Sequence, residues 1–80
     1  MALYSIRLNL ELDEPSGVYT VTSPDVPGLV TEGSTPEEIA RNVQEAMEVL
    51  ILGWQKYGVE IPPALRSPKP PKVVEALVAV

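Results

Sequence analysis

The 80 residues contain no cysteine, no histidine and no phenylalanine. Without cysteine there can be no disulfide and no thiolate site, and without histidine no imidazole-ligated metal. The same two absences exclude Ser-His and Cys-His nucleophiles and any histidine general base. Basic side chains are also scarce: six Lys and Arg stand against eleven Asp and Glu, a net charge of −5. No apolar run approaches the roughly 18–20 residues that span a bilayer. The start, Met1 to Arg7, has no charged segment followed by an apolar one, so no secretory signal is read there. The expectation is a cytoplasmic protein with no membrane partner and neither cofactor nor bound metal.

What is present fits one small domain. A chain this short buries only roughly 60–65% of the surface that its unfolded form exposes, so its core is marginal. With disulfides and metal unavailable, a homo-oligomer (dimer or tetramer) or a partner protein is the expected source of further stability. The charge is uneven. Residues 1–60 set Arg7, Arg41 and Lys56 against ten carboxylates, whereas residues 61–80 set Arg66, Lys69 and Lys72 against Glu75. An acidic body repels phosphate, which argues against direct nucleic-acid binding and favours a basic protein partner.

Tyr4, Ile6, Leu8, Leu10 and Leu12 alternate with Ser5, Arg7, Asn9 and Glu11. This period of two predicts a strand with an apolar row towards the core. Asp13 to Gly17 is dense in turn formers and predicts a hairpin into Val18–Thr22, which is β-branched and aromatic. Pro24 and Pro27 cannot donate to a ladder and end that strand. Gly28 permits a bend, and Leu29–Glu32 predicts a short third strand.

Thr35 then reads as an N-cap, with Glu38 three residues on and Pro36 at the first helical position. Ile39, Val43, Ala46, Met47, Leu50, Ile51, Trp54 and Tyr57 fall on one helical face, and Gly58 is a natural stop. Residues 59–72 hold five prolines and predict an extended connector reaching at most about 50 Å. Val73 to Val80 has one charged residue and predicts a strand covered on both faces, in its own subunit or exchanged with a neighbour's. The expected organisation is therefore a β-β-β-α domain over 1–60, a proline-rich connector over 61–72 and a last strand over 73–80.

Only carboxylates could do acid–base work, and none sits at a metal or catalytic spacing with a companion base, so no enzyme is expected. Glu11, Asp13, Asp25 and Glu32 are instead the candidate contacts for a basic partner. Val49 and Leu52 lie off the main helical stripe, beside Glu45 and Glu48. Together with Trp54, and with Val74 and Val78 of the last strand, they are the candidate subunit interface. The basic connector could serve a proline-binding groove, but a plain spacer is the stronger reading.

The run Pro24-Asp25-Val26-Pro27-Gly28-Leu29, then Thr31-Glu32-Gly33-Ser34-Thr35-Pro36-Glu37-Glu38 and a long helix, resembles the HicB-like antitoxin domain. The likeness covers about Tyr4 to Pro62 and departs from the family pattern at Ile39, where Ala is usual. It implies an α+β fold of order β-β-β-α-β, likened to a trimmed ribonuclease-H fold without the catalytic acids. The last strand would lie parallel beside the first. It also implies a HicA-type partner, a small basic RNA-cleaving toxin whose active site the antitoxin covers. The fifteen residues after Leu65 hold no helix-turn-helix or ribbon-helix-helix segment of the kind that lets such antitoxins bind an operator. The alternative is an orphan oligomeric module that binds a small ligand or another regulatory protein.

Overall fold

In a computed structural model, which describes residues 4–66, 73 and 75–78, the alternating N-terminal stretch is a ladder strand over only part of its length. Strand β1 is Asn9–Asp13 and pairs antiparallel with β2, Val18–Thr22, from Asn9 opposite Thr22 to Asp13 opposite Val18. The proline that follows β2 explains the difference. Beyond Thr22 the chain turns away at Ser23-Pro24, so Tyr4–Leu8 has no strand to pair with and lies along the 23–29 loop instead. The Arg7 amide donates to Asp25 Oδ2 at 2.7 Å, replacing a ladder bond by a side-chain one. Strand β3, Val30–Gly33, pairs antiparallel with β2, giving the order β1-β2-β3.

Across one face of this sheet, Leu10, Val21 and Thr31 form a row, followed by Leu12, Tyr19 and Gly33. Helix α1, Pro36–Tyr57, packs on this face and chiefly over β3. The expected apolar row is therefore only half covered. Ile6 and Leu8 pack on the core, but Leu10 and Leu12, on the strand farthest from β3, stay 39% and 45% exposed. The core proper gathers Val26 and Leu29 from the loop after β2 with Met47 of α1, while Val21 and Ile39 are buried nearby.

The helix begins and ends where its caps dictate. Thr35 Oγ1 accepts from the Glu38 amide at 3.1 Å, a cap worth about 1 kcal/mol. The Glu38 carboxylate reaches back to the Ser34 amide, one residue earlier than a capping box requires. Gly58 takes the left-handed conformation, φ 65°, and donates to the Trp54 carbonyl. Close packing at the other end needs Gly33: a Cβ there would stand 2.8 Å from Ile39 Cγ1 and 2.9 Å from the Ile39 nitrogen. On the expected apolar face Tyr57 is exposed, and the Lys56 ammonium sits 5.3 Å from its ring centroid.

After the helix the connector is not extended throughout. Pro63–Leu65 form a 3-10 turn that places Leu65 on the core. Arg66 holds the turn by donating to the Ile61 carbonyl at 2.8 Å and the Glu60 carboxylate at 2.6 Å. Val73 and Glu75–Val78 are exposed and belong to no strand. Residues 67–72, Val74, Ala79 and Val80, on which the rest of the expected connector and last strand fall, lie outside the described residues.

Candidate functional site

The open face of the sheet, opposite α1, carries Glu11, Thr20 and Glu32 in one row across the three strands. All three are exposed. Asp13 shares this side of β1 at the hairpin end, where its carboxylate accepts from Ser16 Oγ at 2.6 Å. Two strand spacings separate Glu11 from Glu32, about 10 Å. At that distance they offer two separate acceptors for cationic side chains and cannot together clasp one ion. Among the described residues no three His, Cys, Asp or Glu side chains converge.

Asp25 stands apart from the other three. Its carboxylate accepts from the Arg7 amide, from Arg7 Nε at 3.2 Å and from Arg7 Nη2 at 2.8 Å, while its own amide donates to Ser23 Oγ. The guanidinium hydrogen bonds, then the Arg7 amide and the opposite charge, hold this carboxyl below the usual aspartate range, with partial burial opposing. Asp25 thus ties the loop to the N-terminal segment and has little left for a partner. The sequence reading missed its mate, yet a signal existed: Arg7 is the only cation before Arg41. It also missed Asn42, whose side-chain amide donates to the Glu32 carbonyl at 2.7 Å and fastens α1 to β3.

A concave feature lies on the helix side. A cleft of about 650 Å³ opens between the N-terminal segment and α1, lined by Tyr4, Ile6, Met47, Trp54 and Leu65, with Gln44 and Gln55 as polar members. Trp54 packs on the core cluster here, so its indole serves the subunit's own fold. Val49 and Leu52, by contrast, are 70% and 66% exposed on the far side of α1. Val78 is also exposed, and no described strand adjoins it.

A family model described as a domain of unknown function, DUF1902, matches residues 4–60. The chain belongs to that family. The matched span takes in the sheet, the loop bearing Asp25 and all of α1, so the open sheet face lies within the DUF1902 domain, whereas the cleft also draws on Ile61 and Leu65 beyond it. A relative named UPF0150 protein, from Thermotoga maritima, is 40% identical over 52 residues. The match covers 65% of this chain and 65% of the relative, somewhat under two thirds of that protein's length. No solved structure matches the chain. Among the described residues of this DUF1902 domain, no helix is long and apolar enough to cross a membrane.

Proposed function

We propose that this DUF1902 domain is a HicB-like antitoxin, a non-catalytic cytoplasmic protein that covers the active site of a small basic ribonuclease. The observation that carries the reading is the open acidic face. Glu11 and Glu32 lie in one exposed row that no part of the described chain covers. Core packing gives no reason for two carboxylates across one open sheet face, whereas a basic partner does. The resemblance at Pro24–Glu38 supports the same reading, because that run builds the loop, β3 and the cap that hold the sheet in place. In this reading the fold is a trimmed ribonuclease-H-like one, and the bare outer side of β1 is where a last strand, from the same or a neighbouring subunit, would pair.

The test is co-expression with a small basic ribonuclease encoded beside this chain. The unaltered protein should restore growth and copurify with it. Glu11→Lys with Glu32→Lys should weaken the complex roughly 10- to 100-fold, with the fold intact by circular dichroism. Undiminished binding by that variant would refute the acidic face as the contact.

The cleft favours a second reading, an oligomeric module that takes a small apolar ligand bearing a group for Gln44 or Gln55. Trp54 is the one tryptophan and lines the cleft, so occupancy should shift its emission. Unchanged emission across a panel of such ligands would count against it.

A further inference from the structure

Glu45, Val49, Leu52 and Lys56 follow one another at spacings of four, three and four residues. On a helix those spacings make a single row, of the kind that forms the seam between paired helices. The row runs along the side of α1 turned away from the core residues Val43, Leu50 and Trp54. Its inner pair is apolar and its outer pair carries opposite charges. Val49 and Leu52 are 70% and 66% exposed, and Glu45 and Lys56 are exposed as well.

The row is symmetric in spacing and self-complementary in charge. Read from either end it gives a charge, two apolar groups and the opposite charge, at the same intervals. A second copy laid antiparallel, with the two-fold axis level with Leu50 and Ile51, therefore meets it in register. Val49 then faces Leu52 of the partner subunit, Leu52 faces Val49 of the partner subunit, and Glu45 faces Lys56 of the partner subunit at both ends. A parallel pairing would set like charge against like. Self-complementarity of this kind is what an isologous two-fold contact requires. Lys56 now rests over Tyr57, and its flexible stem lets the ammonium turn to a carboxylate across the seam.

We propose that α1 pairs antiparallel with α1 of a second copy of this chain along Glu45, Val49, Leu52 and Lys56. This pairing does not rest on the toxin reading. The acidic row lies on the opposite side of the sheet, so both surfaces can be used at once. The seam is short, and the dimer is accordingly a weak one, with a dissociation constant on the order of micromolar or above.

Sedimentation equilibrium of the full chain from about 1 μM to about 1 mM spans that range. A monomer–dimer equilibrium is expected. Lys56→Glu sets carboxylate against carboxylate at both ends and should weaken dimerisation roughly 10- to 100-fold. Glu45→Lys combined with Lys56→Glu restores the opposite charges and should return dimerisation to near its original strength. Leu52→Glu should abolish it, with helix content unchanged by circular dichroism. A monomer throughout the range, a dimer indifferent to Lys56→Glu and Leu52→Glu, or a charge reversal that fails to rescue would each overturn the pairing.

Discussion

Arg7 and Asp25 show how one residue pair can substitute for a missing stretch of ladder. Where β2 ends, the N-terminal segment loses its strand partner, and the Asp25 carboxylate takes over as acceptor for both the Arg7 amide and its guanidinium. These bonds favour the charged carboxylate and lower its folded-state titration point. A carboxyl that titrates lower when folded stabilises fully above the unfolded aspartate range, and that contribution is lost as pH falls through the folded value. Asp25→Asn should therefore lower the melting temperature at neutral pH, and the gap to the unaltered protein should close as pH drops below about 4. Thermal melts followed by Trp54 fluorescence across that range check this. Asp25 was legible in the sequence as a charged loop residue, but its role was not. A carboxylate's partner depends on which segment the tertiary fold brings alongside, and Arg7 lies 18 positions away along the chain.

At the scale of elements, α1 was the most legible part. Thr35, Pro36 and Gly58 are local signals acting through the backbone beside them, and the helix runs from Pro36 to Tyr57 as they dictate. The first strand was less so. Alternation from Tyr4 to Leu12 states which side chains share a face, but pairing needs a partner of equal length, and Pro24 shortens β2. Likewise Leu65 draws the chain into a 3-10 turn where prolines alone suggested an extended spacer. Two glycines separate element contact from element propensity. Gly33→Ala drives a Cβ into the Ile39 backbone and should cost about 1–3 kcal/mol, seen as a lower melting temperature. Gly53→Ala meets nothing within 4 Å inside α1 and should stabilise by about 0.5–1 kcal/mol. Paired thermal melts of the two variants should thus move in opposite directions.

Taken whole, the molecule is a thin slab with two unlike sides. One side is the open sheet face with its acidic row, and the other is the outer surface of α1 with its self-complementary row. The placement of Glu11 and Glu32 could be foreseen as polar and outward, but their alignment across Thr20 required the register of both hairpins. Val49 and Leu52 were legible as surplus apolar residues because helical geometry alone fixes the face they occupy. A complex made through the acidic face should weaken as salt rises, since exposed charges are screened within about 10 Å at 0.1 M. Association along α1 should weaken less, because salt screens its exposed Glu45–Lys56 ends but not the apolar Val49–Leu52 contact.

The bare outer side of β1 has a consequence for how the protein can be altered. Among the described residues nothing pairs with that side, and Leu10 and Leu12 stand half uncovered beside it. Such a margin is a ready template for cross-β stacking, the growth mode of amyloid fibres. Alternating charge at Glu11 and Asp13 is the guard against it. Substitutions that reverse those charges keep the guard, whereas neutral apolar ones remove it and invite fibrils. Engineering of this face should therefore trade acid for base rather than acid for valine.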